Sequence, residues 1–171
     1  TFPGAFMPSG LFGAGLQTTA WLFIFWHFGL PAAVIGYACR AREPRAVTIA
    51  VLFRDAVLVV GSVVLLTWIV TAYGDAIPAL FVDKLGFTPL ANQVTAFDFS
   101  LSVVALIALL ARRQKSVLDL WLIVAVAALV AELAVTTFII KSRFSLGFYA
   151  SRILSMGAST IVLIALFAES V

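Results

Sequence analysis

The chain has 171 residues, of which 63% are hydrophobic and 11% are charged, and its formal net charge is +3 at pH 7. Soluble domains need a charged exterior, and roughly a quarter of their residues are charged. This composition therefore excludes a soluble protein and indicates one embedded in a membrane. The basic residues fall at the ends of apolar segments rather than in a patch, which speaks against a nucleic-acid partner.

Apolar segments in the sequence are long enough to cross a bilayer, whose hydrocarbon of roughly 30 Å takes about 20 helical residues. We predict five transmembrane helices, at residues 18–39, 46–73, 94–111, 117–139 and 148–167. Residues 1–17 are rich in glycine and proline and are predicted to form a loop on the outer surface. The predicted fold is an all-α integral membrane bundle, a single domain over residues 1–171 without internal repeats.

The loops between these helices carry the orientation signal. The loops RAREPR (40–45) and ARRQKS (111–116) are short and basic, and the positive-inside rule places them in the cytoplasm. The loops at 74–92 and 141–147 then face outside, although the latter contains two basic residues. This scheme places the C-terminus in the cytoplasm and residue 1 outside, so we expect further helices before the sequence and a cytoplasmic domain after it.

Ionisable side chains inside the predicted helices are candidate functional groups. Each costs a few kcal/mol on insertion and normally faces the interior of a bundle. The helical rise places His27, Asp98, Glu132 and Arg152 in the outer half of the membrane, with Gln17 and Trp21 at the outer end of the first helix. Small and hydroxyl side chains share their helix faces, where hydroxyls can bond between helices.

Two interpretations of this polar group stay open. Arg152 pairs with Glu132 or with Asp98 to satisfy buried charge, or the group forms a pocket for a polar ligand from outside. The two are compatible, because a ligand can disturb an ion-paired network. We expect the acids and the arginine to point at one another.

His27 is the chain's single histidine and stands between Trp26 and Phe28. Pro31 lacks the amide that would bond the carbonyl of residue 27, so the helix is expected to bend there and free that oxygen. A histidine beside a free carbonyl could bind a ligand or sense protons. It could equally be a buried imidazole bonded to a neighbouring helix.

Other charged positions have structural interpretations. Arg54 and Asp55 occur early in the second helix, where they fit the membrane interface. Ser116 followed by Asp119 fits the capping pattern of a helix N-terminus.

Several kinds of site are excluded by the residues present. One histidine cannot supply both axial ligands of a b-type haem, and no zinc or copper ligand set occurs at the usual spacings. No serine lies in a G-x-S-x-G motif, and a single cysteine, Cys39, excludes a redox pair. The lysines all fall in predicted loops, which excludes a retinal Schiff base. We predict no catalytic residue, no metal site and no cofactor.

Three stretches resemble a known family: TFPGAFMPSGLFGAGLQTTAWLFIFWHFGLPAAVIGYA, RRQKSVLDLWLIV and SRFSLGFYASRILSM. They look like the fourth class of bacterial membrane-associated sensor domains, the integral-membrane MASE type. In that family a motif P-[ST]-G-L-x-G-A-G-x-Q-[ST]-T-A-W-L leads into F-W-H-x-G-F-P, which is matched here from Pro8 to Pro31. Leu16 stands where proline is frequent, and Leu30 where phenylalanine is.

The resemblance implies a sensory input domain of the bacterial inner membrane, fused to a cytoplasmic histidine kinase or GGDEF diguanylate cyclase, with further helices before the first block. It does not specify the ligand. Its motif positions fall at Gln17, Trp21, Trp26, His27, Asp119, Trp121, Tyr149 and Arg152. Asp119 lies at cytoplasmic depth, which associates it with signal output.

The sequence therefore supports a sensor that turns an extracytoplasmic or membrane-borne cue into a helix rearrangement, and we expect a homodimer in the lipid bilayer with an unknown small-molecule ligand. The alternative is a small transporter or channel with the same charges along its path. That path would have to be continuous, whereas VVALIALLA in the third helix and TIVLIALFA in the fifth are apolar. These runs favour a dead-end pocket.

Overall fold

The computed structural model describes residues 14–39, 48–74, 76–82, 86–113, 116–139, 146–147, 149–157 and 160. Its helices are α1 (Leu16–Cys39), α2 (Ile49–Ala72), α3 (Pro89–Leu110) and α4 (Val117–Ala134), and α4 continues as a π-helical turn over Val135–Ile139. Residues 146–147, 149–157 and 160 are also helical and are called the C-terminal segment below. Among the described residues the β-structure is one isolated bridge between Phe81 and Phe87. The all-α fold is thereby confirmed.

Four stretches of the described chain are long and apolar enough to cross a membrane, namely Gln17–Cys39, Ile49–Ala72, Pro89–Leu110 and Val117–Ile139. The predicted fifth helix, 148–167, is covered only in part by the C-terminal segment, and its residues 161–167 lie outside the described ones. Residues 1–13 of the predicted outer loop and the basic loop at 40–45 also lie outside them. Residues 16 and 17 already belong to α1.

The third helix begins at Pro89, ahead of the predicted start at residue 94. The side chain of Thr88 accepts a hydrogen bond from the amide of Ala91 at 3.1 Å and caps the helix. Proline suits the first turn because its missing N–H would have had no helical partner there. A prediction based on the apolar run overlooks this first turn, which contains the polar Asn92.

The chain divides into two compact units. Unit 1 comprises Thr1–Phe23 and Ala41–Leu80, and unit 2 comprises Ile24–Arg40 and Phe81–Val171. In unit 1, α2 is exposed along most of its length, with Val70 as its buried residue. Arg54 and Asp55 pair with each other at 2.7 Å on that exposed surface.

Unit 2 contains the second part of α1, together with α3, α4 and the C-terminal segment. Helices α3 and α4 pack against each other, and the π-helical turn contacts α3. The centre of this unit is an apolar cluster of Val34, Ala105, Leu109 and Val126, which we call the apolar core. It separates two polar clusters carried by the same helices.

Candidate functional site

The first polar cluster lies in unit 2 around Glu132 on α4. His27 Nε2 of α1 lies 3.4 Å from Glu132 Oε1, and Arg152 Nη1 of the C-terminal segment lies 3.6 Å from the same oxygen. Asp98 of α3 is close enough for the charges of His27 and Glu132 to act on it. These four residues, His27, Asp98, Glu132 and Arg152, are called the His27 cluster.

Burial distinguishes the members of the His27 cluster. His27, Asp98 and Glu132 are buried, with 1% or less of each residue exposed. The side chain of Arg152 is 38% exposed, so the cluster reaches the surface of the protein at the guanidinium. A strong charge-assisted hydrogen bond measures roughly 2.7–2.9 Å between its heavy atoms. Both contacts to Glu132 are longer than this. Glu132 therefore stands between two basic side chains without being tightly held by either.

Asp98 is the least satisfied member of the His27 cluster. The residue is completely buried, and within the described chain neither carboxylate oxygen has a hydrogen-bond partner. Burying an ionised carboxylate without a partner is costly, and proteins usually neutralise such a group. The Asp98 carboxylate can therefore take up a proton or accept a hydrogen bond from an added donor.

Two hydroxyl groups near the cluster, those of Ser102 and Thr136, bond within their own helices. Ser102 donates to the carbonyl of Asp98 at 2.9 Å, and Thr136 donates to the carbonyl of Glu132 at 2.9 Å, each within its own helix. The backbone oxygen four residues earlier is the nearest acceptor for a helical hydroxyl. These bonds leave the carboxylate side chains to the cluster itself.

The backbone changes form directly beyond Glu132. Helix α4 ends at Ala134 and passes into the π-helical turn Val135–Ile139. Such turns are uncommon and occur frequently at functional sites, because they widen the local hydrogen-bond pattern. Glu132 thus lies at the last regular turn of α4.

The two aromatic residues predicted to belong to the site, Trp26 and Tyr149, are more exposed than the members of the His27 cluster. Trp26 is 55% exposed, and its ring meets that of His27 edge to face, with centroids 4.3 Å apart. Tyr149 is 53% exposed in the C-terminal segment. Pro31 lies within α1, which continues across it to Cys39.

Gln17 and Trp21 belong to unit 1 and bind the loop after α2. Gln17 Oε1 accepts from the amide of Leu80 at 2.8 Å, and Trp21 Nε1 donates to the carbonyl of Pro78 at 3.1 Å. Both motif residues thus hold the loop backbone against the first turns of α1. This is a structural role that the sequence did not reveal.

A second polar cluster lies at the other end of unit 2 around Asp119, which is fully buried. Asp119 and Ser116 form the predicted capping box at the start of α4, which is confirmed. Asp119 Oδ1 also accepts from the hydroxyl of Tyr37 at 2.9 Å and lies 3.3 Å from Arg112 Nη1. The guanidinium of Arg112 in turn stands over the Tyr37 ring, 4.7 Å from its centroid. These four residues are called the Asp119 cluster.

Sequence reasoning missed Tyr37 and Arg112. The available signals were a phenol in the last turn of an apolar helix and an arginine directly before a capping motif. Neither signal predicts the pairing, because Tyr37 lies on α1 and Arg112 just beyond the end of α3, far apart in sequence. Trp121, the other motif position nearby, is half-buried on α4.

Each of the three helices of unit 2 connects the His27 cluster with the Asp119 cluster through the apolar core. Helix α1 has His27, then Val34 and Tyr37, and α3 has Asp98, then Leu109, with Arg112 just beyond its end. Helix α4 has the order reversed, from Asp119 through the apolar core to Glu132, because it runs antiparallel to the others. The two clusters are separated along each helix by about 15–20 Å.

The two clusters differ in how firmly their members are held. Within the described part of the chain, no group of three histidine, cysteine, aspartate or glutamate residues is placed to hold a metal ion. The His27 cluster offers acids, a base and a guanidinium whose contacts are loose enough to rearrange. The Asp119 cluster is well satisfied and ties α1 to the start of α4.

Comparison with known proteins gives one match. The model of a family described as MASE4, "Membrane-associated sensor, integral membrane domain", matches residues 1–171. Neither a curated protein nor a solved structure matches the chain.

Proposed function

Since the chain belongs to the MASE4 family of integral-membrane sensor domains, we propose that it detects an extracytoplasmic or membrane-borne cue through its His27 cluster. The observation that carries the proposal is the pair of polar clusters on the same three helices of unit 2. A change at Glu132 acts on all the helices that meet there. The same helices continue to the Asp119 cluster.

The proposed mechanism is a shift between two arrangements of these helices. A cue can move such an equilibrium only by interacting more favourably with one arrangement than with the other. The loose contacts of Glu132 with His27 and Arg152 provide the part that can change. The apolar core between the clusters is densely packed, so it transmits a displacement rather than absorbing it.

The proposed output is a cytoplasmic histidine kinase or diguanylate cyclase in the same polypeptide. We place the domain in the bacterial inner membrane with its C-terminus in the cytoplasm, on the basis of the basic loops at 40–45 and 111–116. A homodimer is part of the proposal, because two copies would bring two effector domains together. The cue is an unidentified small molecule or ion.

A transporter or channel is the competing function, and the packing of unit 2 argues against it. A permeation path through this unit would have to pass the apolar core, where Val34, Ala105, Leu109 and Val126 are buried against one another. That layer interrupts the polar groups between Glu132 and Asp119. The polar region around Glu132 therefore ends within the unit.

The test uses the full-length signalling protein in native membrane vesicles. Glu132→Gln removes the negative charge that faces both His27 and Arg152. Ser100→Ala is the control, since Ser100 is exposed and its hydroxyl donates to the carbonyl of Ala96 in its own helix. We expect the activity of the effector to change about fivefold or more in the first variant and to stay at the wild-type level in the second. Membrane insertion should be unchanged in both.

The result that would overturn the proposal is equally definite. If Glu132→Gln and His27→Ala both insert normally and leave the effector's activity at the wild-type level in all growth conditions that alter it, the His27 cluster does not carry the signal.

A further inference from the structure

The formal charges of the His27 cluster do not balance without a proton. Asp98 and Glu132 are two buried acids, and Arg152 is a permanent cation, since guanidinium groups stay protonated in proteins. With His27 neutral, the ionised cluster would keep one net negative charge in a site of low dielectric. Such a charge is unfavourable inside a membrane bundle.

One proton restores the balance, and the structure offers two places for it. His27 Nε2 faces Glu132 Oε1 at 3.4 Å, where a protonated imidazole would be a favourable neighbour. Asp98 has two buried oxygens without hydrogen-bond partners in the described chain, so its carboxylate can also take the proton. The groups around this proton come from every helix that meets here in unit 2: His27, Asp98, Glu132 and Arg152.

We propose that the His27 cluster is a proton-binding site, in which a single exchangeable proton shared between His27 and Asp98 is the ligand that sets the arrangement of the cluster. This inference rests on the proposed function, because it names the ligand of the same site. Hydronium delivers the proton: one of its O–H bonds breaks and leaves water, while one N–H bond forms on His27 or one O–H bond forms on Asp98. The charge of the cluster rises by one. No other covalent bond changes.

The geometry provides access for this proton at Arg152. The guanidinium is 38% exposed while its ion-pair partner Glu132 is buried, so the pair connects the protein surface to buried Glu132. When the proton leaves, Arg152 is the one cation among the four residues of the His27 cluster for two carboxylates and is drawn further toward them. When the proton returns to His27 or Asp98, the net negative charge that attracts Arg152 disappears. Arg152 can then move toward the surface.

Trp26 is a built-in reporter for the test. Its ring lies 4.3 Å from that of His27, centroid to centroid, so a charge on the imidazole changes the surroundings of the indole and hence its fluorescence. The experiment is a fluorescence titration of the full chain in lipid nanodiscs from about pH 4 to 9, which spans the titration of carboxyl and imidazole groups. Trp26→Phe identifies the component of the signal that belongs to this indole.

Asp98→Asn tests the shared proton. The amide carries no negative charge, so the cluster is already balanced with neutral His27, and the midpoint of the Trp26 signal should fall by one pH unit or more, a tenfold loss of proton affinity. Ser102→Ala is the matched control on the same helix, since its buried hydroxyl donates to the backbone carbonyl of residue 98 and carries no charge. Its midpoint should equal that of the wild type.

A second variant keeps the test decisive if Asp98→Asn fails to fold. Glu132→Gln also removes one negative charge and is expected to lower the midpoint in the same direction. The proposal is overturned if the Trp26-dependent signal of the wild type does not change with pH, or if every folded variant lacking an acid titrates as the wild type does.

These results are independent of the signalling test. A proton titration in nanodiscs, with a signalling output that responds neither to Glu132→Gln nor to His27→Ala, would support the proton site and refute the sensor role. The reverse pattern, a responsive output without titration, would leave the sensor role and refute the proton as its ligand.

Discussion

His27 and Glu132, on α1 and α4, meet inside unit 2 with Nε2 and Oε1 3.4 Å apart and both side chains buried. Arg152 approaches the same carboxylate oxygen from the C-terminal segment at 3.6 Å. A single acid thus connects two basic groups on two other helices. Because neither contact is short, the arrangement of these helices is sensitive to the charge on each partner.

Glu132, rather than Asp98, is expected to be the energetic partner of Arg152. In a double-mutant cycle with Arg152→Gln, Glu132→Gln should give a coupling of about 0.5–3 kcal/mol in the free energy of unfolding. The lower half of that range is expected, because the arginine is partly exposed and screened. The measurement is reversible unfolding in mixed detergent micelles. The matched cycle with Asp98→Asn should show a smaller coupling, and a larger one would assign the pair to Asp98.

Tyr37 is expected to stabilise unit 2 through its hydroxyl. Tyr37→Phe removes a 2.9 Å hydrogen bond to buried Asp119, which should lower the free energy of unfolding by about 1–3 kcal/mol because the acceptor is charged. The control is Tyr73→Phe, since Tyr73 is 53% exposed beyond α2. That change should stay within about 0.5 kcal/mol. Equal effects of the two substitutions in the same unfolding assay would argue against the Asp119 cluster as a stabilising tie.

Gln17 is expected to protect the loop of unit 1 from exchange with solvent. Gln17→Ala removes the acceptor of the Leu80 amide, so hydrogen exchange at Leu80 should become roughly two- to tenfold faster. Trp21→Phe, which loses the bond to Pro78, should act in the same direction. The matched control is Trp68→Phe, an exposed indole on α2. Unchanged exchange in both loop variants would show that these contacts do not order the loop.

Cys39 is expected to report the orientation of the domain. It is the chain's single cysteine and is exposed at the end of α1. If the basic loop after it is cytoplasmic, a membrane-impermeant maleimide should label Cys39 in inverted vesicles and not in right-side-out ones. Cys39→Ser combined with Val82→Cys, at a position 74% exposed in the loop before α3, should show the opposite pattern. Labelling of Cys39 from outside would reverse the proposed topology.

Composition and apolar length were sufficient for the fold class. Few charges and long apolar runs leave no alternative to membrane helices, because unpaired backbone groups are too costly in hydrocarbon. The cap at Ser116 was also predictable, since both partners lie within one turn. The start of α3 was not placed correctly, because Thr88 and Pro89 signal a helix through capping rather than through hydrophobicity.

The sequence by itself determined which residues are polar inside the apolar segments and, through their depth, that His27, Asp98, Glu132 and Arg152 lie at comparable levels. Only the tertiary structure decided that Glu132 is the acid between His27 and Arg152, that Asp98 is buried without a hydrogen-bond partner in the described chain, and that Gln17 and Trp21 bind a loop of unit 1. The physical reason is that depth follows from position along one helix, whereas pairing depends on how each helix is rotated about its axis and which neighbour it packs against.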